Sequence, residues 1–122
     1  MSHIVEIQTQ VRDAAAVRAG CDRLGLEAPQ QGQFNLFRQQ VTGLAVRLNQ
    51  WRYPVVFNLE TGLSQYDNFE GHWGPKARLD EFMQAYAIEK SKLEARRKGF
   101  LVHEQRLENG SVKLTVDVGG GA

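Results

Sequence analysis

The densest group of side chains able to do chemistry lies in Tyr66-Asp67-Asn68-Phe69-Glu70-Gly71-His72-Trp73-Gly74. Asp67 and Glu70 offer hard carboxylate oxygens and His72 an imidazole nitrogen, a mixed donor set that suits a divalent metal. Their spacing matches no established metal signature, and Gly71 and Gly74 fit an ordinary structured loop equally well. A metal- or ligand-dependent enzyme centred on Asp67, Glu70 and His72 is therefore one expectation, behind the two that follow.

The same half of the chain gathers Trp51, Tyr53, Phe57, Tyr66, Phe69 and Trp73. Tryptophan and tyrosine rings combine a large apolar area with a polar handle, which suits the centre of a protein interface. The competing reading is that most of these rings close the ends of the core, with Trp73, set between glycines, the better surface candidate. Trp51, Tyr53, Phe69 and Trp73 are the expected partner-binding residues.

A third group is basic. Lys90, Lys92, Arg96, Arg97 and Lys98 are offset in their own stretch only by Glu94. Lys92, Arg96, Arg97 and Lys98 could track phosphates, with Phe100 or Tyr86 adding stacking, so nucleic-acid binding is the alternative function. Cations at a helix C-terminus are also what the helix dipole favours, and no named nucleic-acid motif accompanies them.

The parts of a catalytic centre are missing. Cys21 falls on the apolar stripe of a helix, where a buried, inert thiol is the usual outcome. His3, His72 and His103 are the available bases, and the sequence places none of them beside the cysteine. There is no phosphate-binding loop, dinucleotide fingerprint, nucleophile elbow or His-Glu-x-x-His pattern. No catalytic residue is assigned and no cofactor is implied.

The elements that must position these groups follow from periodicity. His3 to Gln10 is β-rich and partly alternating, which predicts an opening strand. Asp13 before Ala14-Ala15-Ala16 predicts a capped helix, with Val17, Cys21 and Leu24 on its stripe and Gly25 as its stop. Pro29 to Gln33 reads as a connector. Residues 34–37, 44–48, 54–59 and 63–67 read as four strands of a meander. Pro75 opens a second helix whose stripe is Leu79, Phe82, Met83, Tyr86, Lys90 and Leu93, ended by Gly99. Residues 100–105 and 111–118 then close a hairpin across Asn109-Gly110.

The expected architecture is α+β, in the order β-α-β-β-β-β-α-β-β. A single antiparallel or mixed sheet of six or seven strands would carry two amphipathic helices on one face. Residues 1–118 form one domain and 119–122 a flexible Gly-rich tail, whose resemblance to the diglycine ends of ubiquitin-like proteins is blocked by Ala122. The chain has 122 residues and a net charge of +1, from 15 basic and 14 acidic side chains, so no global field draws it to nucleic acid or membrane. One cysteine excludes an internal disulfide, and the lack of a signal peptide or long apolar run leads us to expect a cytoplasmic protein with no membrane partner. An exposed meander edge makes a homodimer an open expectation.

Two ends of the chain carry a resemblance. Met1-Ser2-His3-Ile4, Thr9-Gln10-Val11-Arg12 and Leu24-Gly25 look like the opening of one family. Tyr86-Ala87, Gly99-Phe100, Glu104-Gln105 and Gly110-Ser111-Val112-Lys113-Leu114-Thr115-Val116 look like its other end. The family is that of the hypothetical chloroplast open-reading-frame proteins of red algae and their cyanobacterial and bacterial relatives, known only as a domain of unknown function. The middle, at Trp51-Arg52-Tyr53-Pro54 and Tyr66-Asp67-Asn68-Phe69, departs from the algal pattern and is similar to a bacterial subgroup. The resemblance implies a small soluble protein sometimes encoded near an AAA-type ATPase, and it assigns no catalytic residue. Together these readings lead to a non-catalytic protein-interaction module, a subunit or adaptor of a larger complex, with another protein, such as an AAA-type ATPase, as partner.

Overall fold

The structure, a computed structural model, describes residues 4–119. His3 and residues 120–122 of the expected tail lie outside the described residues. The first strand, β1 (Val5–Gln8), leads into helix α1 (Ala14–Leu24). Asp13 caps α1, its Oδ1 accepting the amides of Ala15 at 2.9 Å and Ala16 at 3.3 Å. Gly25, at φ 70°, stops the helix, and Leu26 N–H returns to Cys21 O at 2.9 Å.

Four strands follow: β2 (Gln30–Leu36), β3 (Gln39–Val46), β4 (Val55–Phe57) and β5 (Leu63–Tyr66). With β1 they form one antiparallel sheet in the order β1-β5-β4-β3-β2. β2 starts four residues before the predicted Phe34. The Gln30-Gln31-Gly32-Gln33 stretch, expected to be a connector, pairs in register with β3 from Gln30↔Ala45 onward. An edge strand open to water tolerates such polar residues, so tertiary pairing overrides the local pattern.

Helix α2 (Lys76–Arg97) follows Pro75, and after Gly99 (φ 80°) the ribbon β6 (Leu101–Arg106) and β7 (Val112–Asp117) closes the chain's order of elements. The α+β class and the order β-α-β-β-β-β-α-β-β are as expected. The expected single sheet is corrected to two, of five and two strands. The reason lies at the end of α2. Phe100 N–H bonds back to Ala95 O at 2.9 Å, and the chain reverses there onto the helices instead of returning to the sheet.

Both helices cover one face of the five-stranded sheet. Val17 and Cys21 of α1 and Leu79, Phe82 and Tyr86 of α2 pack with Leu44, Val46, Val55, Phe57 and Tyr66 in one buried cluster. Tyr86 also anchors the α1 entrance: its hydroxyl accepts the amides of Arg12 at 3.1 Å and Asp13 at 3.2 Å. The opposite sheet face holds a smaller cluster of Leu36, Val41, Ala45 and Val56, flanked by Ile4, Phe34 and Tyr53. No helix of the described residues is long and apolar enough to cross a membrane.

Candidate functional site: an aromatic and arginine corner

The loop between β5 and α2 is built by two buried polar side chains. Asp67 Oδ1 accepts the Phe69 amide at 3.0 Å, an Asx-type turn. Asn68 O accepts the amides of Gly71 at 3.1 Å and Trp73 at 2.9 Å, and its Nδ2 donates to Gly74 O at 3.1 Å. The loop is then tied to the β3–β4 connection, where Arg52 N–H donates to Trp73 O at 2.8 Å. These bonds deliver Trp73 to the end of the sheet face that the helices leave open.

Trp73 becomes the hub of an aromatic cluster. Its ring lies 4.8 Å from Phe69, 5.1 Å from Phe37 and 5.5 Å from Tyr53, centroid to centroid, in tilted and edge-on geometry. His72 adds an edge contact with Phe69 at 4.8 Å. Two arginines stack on the group. The Arg52 guanidinium sits 5.2 Å from the Trp73 centroid and 5.7 Å from that of Tyr53, and Arg38 sits 5.3 Å from Phe37. Each such cation–ring contact contributes about 0.5–1 kcal/mol at an exposed site.

Two of the rings sit on strained backbone. Phe37, at the tip of the β2–β3 hairpin, has φ 62°, and Phe69 has φ 48°. Bulky side chains rarely adopt this left-handed region, and holding one there costs about 1–3 kcal/mol. Both strained rings contact Trp73. Phe37 nevertheless remains 44% exposed, so its ring is not there to complete a core.

The sequence-predicted residues divide. Tyr53, Phe69 and Trp73 meet at this corner, and Trp51 does not. Trp51 packs edge-on against Tyr66 at 5.3 Å and donates its Nε1–H to Pro75 O at 2.8 Å, on the helix side of the sheet. The partner-binding expectation for Trp51 is therefore corrected to a structural role. Phe37, Arg38 and Arg52 were not among the expected residues. One signal could have found the first two: Leu36-Phe37-Arg38-Gln39 joins two strands without the Gly or Asn that a tight hairpin favours.

The metal expectation is also corrected. Asp67 spends its carboxylate inside the loop while Glu70 and His72 face outward. Among the described residues no three His, Cys, Asp or Glu side chains gather to hold a metal. The basic tetrad is split as well. Lys92 Nζ bridges Glu89 at 3.2 Å and Glu104 at 3.3 Å, and Arg97 bridges Asp13 at 3.1 Å. Only Arg96 and Lys98 of the four make no ion pair among the described residues. Two of the four expected phosphate contacts are thus already committed within the protein.

Cys21 is fully buried, and that burial pushes its thiol up to about 11. His103 stands on the exposed ribbon and His72 on the aromatic corner, so neither activates a core cysteine. No protein-family model, curated protein or solved structure matches this chain. What the site can do rests on its own chemistry: it offers aromatic faces, apolar edges and two guanidinium groups on a pre-ordered surface.

Proposed function

We propose that the chain is a non-catalytic interaction module, a subunit or adaptor of a larger complex, that docks a partner protein on the Phe37, Tyr53, Phe69 and Trp73 corner. One observation carries this reading: Phe37 and Phe69 are both held at positive φ against Trp73, and Phe37 stays exposed. Strain maintained without full burial is a cost to the fold that an interface can offset. Aromatic and arginine side chains are also the residue types that dominate binding energy at protein interfaces. The partner's surface should be apolar with acidic groups at its rim, complementary to Arg38 and Arg52. The family resemblance favours an AAA-type ATPase assembly as the source of that partner.

Native mass spectrometry of the tagged protein, purified gently at low salt from its own cells, tests the reading. A partner in fixed stoichiometry is expected. Phe37→Gly should weaken its binding about 10-fold or more without lowering Tm, because glycine relieves the backbone strain. Trp73→Ala should abolish binding in a chain that circular dichroism shows folded. Apoprotein alone, or a partner retained by both variants, would sink the proposal.

A further inference from the structure

β6 and β7 form a two-stranded ribbon, and among the described residues the far edge of β7 pairs with no other strand. The backbone groups on that edge follow from the ladder. Leu107 N–H donates to Ser111 O at 2.9 Å, and pairing continues without a bulge from Arg106↔Val112 to Leu101↔Asp117. Hydrogen-bonded and open pairs alternate in an antiparallel ladder. Lys113, Thr115 and Asp117 therefore aim their N–H and C=O groups at β6, and Leu114 and Val116 aim theirs outward.

Along this edge Val112-Lys113-Leu114-Thr115-Val116-Asp117-Val118 is self-complementary about Thr115. Laid antiparallel against a second copy with Thr115 opposite Thr115, Leu114 meets Val116, Val112 meets Val118 and Lys113 meets Asp117, each twice. Directly opposed residues share a face, so the apolar pairs fall on one side and the ion pairs on the other. The outward backbone groups of Leu114 and Val116 would then bond each other. A shift of two residues either way sets Lys113 opposite Gly119 or Thr115 and loses both ion pairs. A shift of one sets apolar against polar residues throughout.

The edge also leaves apolar surface uncovered. Val116 is 43% and Val118 65% exposed. Neither Lys113 nor Asp117 makes an ion pair among the described residues. Asp117 Oδ1 accepts the Gly119 amide at 2.9 Å. A lysine on an edge strand ordinarily discourages pairing. Here its opposite charge stands four residues on, where a two-fold axis through Thr115 returns it. We propose that two copies of the chain join edge to edge through β7 into a four-stranded antiparallel sheet centred on Thr115, with Lys113 of each copy paired to Asp117 of the other.

An interface of one strand per copy is small, so self-association should be concentration-dependent. Sedimentation equilibrium from about 1 µM to about 500 µM spans the dissociation constants of such contacts. A reversible monomer–dimer equilibrium is expected for the native chain. Lys113→Asp or Asp117→Lys alone should raise Kd about 10-fold, since each converts two attractive pairs into two like-charge pairs. The double exchange Lys113→Asp/Asp117→Lys should return Kd to within about 3-fold of the native value. Independently of charge, Thr115→Cys should cross-link two copies on oxidation, and Lys113→Cys should not. Circular dichroism and Tm establish that each variant is folded. A chain that stays monomeric overturns the proposal. So does a dimer indifferent to the single reversals, one that the double exchange does not restore, or a Thr115→Cys chain that fails to cross-link.

Discussion

Arg23 on α1 and Glu104 on β6 meet in a bidentate pair, Nη1–Oε1 at 2.8 Å and Nη2–Oε2 at 2.7 Å, across 81 residues of chain. Arg23 also reaches Glu89 at 3.2 Å, and Lys92 joins the same two carboxylates. Four charges of alternating sign thus fasten the ribbon to the helical layer. The Arg23 and Glu104 side chains keep only 22% and 29% of their exposure. A forked, partly shielded pair of this kind outweighs an ordinary surface salt bridge.

This network has a pH signature. The hydrogen bonds from Arg23, with help from Lys92, hold the Glu104 carboxyl at about 2 against an ordinary 4.5. At Asp13 burial acts upward, but Lys90, Arg97 and the Ala16 amide outweigh it and leave the carboxyl below its ordinary value. Both folded values are depressed. The stability they contribute is therefore present above the unfolded values and is lost as pH falls through the folded ones. Thermal melts should show Tm declining from about pH 4.5 towards about 2. Glu104→Gln should flatten that decline and lower the hydrogen-exchange protection of β6 and β7. An acid limb identical in the variant would contradict this account.

The two tryptophans should separate experimentally. A Cβ on Gly74 would stand 2.5 Å from Trp51 Cγ and 2.6 Å from both neighbouring ring carbons. Gly74→Ala should therefore destabilise by about 1–3 kcal/mol through overpacking. Trp51→Ala should cost about 3 kcal/mol, since it removes a large packed ring together with its Nε1–H bond to the Pro75 carbonyl. Trp73→Ala should cost less, because Phe37, Arg38 and Arg52 around it are themselves exposed, so water can fill the space the ring leaves. Urea denaturation measures all three. A near-neutral Trp51→Ala would return Trp51 to the binding surface.

Cys21 should report global unfolding. Its thiol is 0% exposed and is pushed up to about 11 by burial, so almost no reactive thiolate reaches solvent at pH 8. Labelling with a disulfide reagent should proceed in denaturant and be slower by orders of magnitude in the native state, at the rate of opening. Rapid native labelling would contradict the closed core between α1 and the sheet.

Local chemistry alone determined much of this protein. Asp13 with Ala14-Ala15-Ala16 and Gly25 carry both ends of α1, and Pro75 and Gly99 bracket α2, because caps and stops act within a few residues. The meander was legible where the apolar run was unbroken, as at Val55 to Phe57. It was illegible at Gln30 to Gln33, whose extension depends on β3 alongside. At the candidate site, Tyr53, Phe69 and Trp73 could be picked by type. Their meeting with Phe37, and the removal of Trp51 to the other face, required the loop hydrogen bonds of Asn68 and the approach of two strand connections. Charge shows the same division. Lys92 and Arg97 belong to a basic helix end in sequence, yet distant Glu104 and Asp13 neutralise them in space. Helix ends follow from neighbours along the chain; pairing, side-chain company and net local charge follow from neighbours across it, which only the fold supplies.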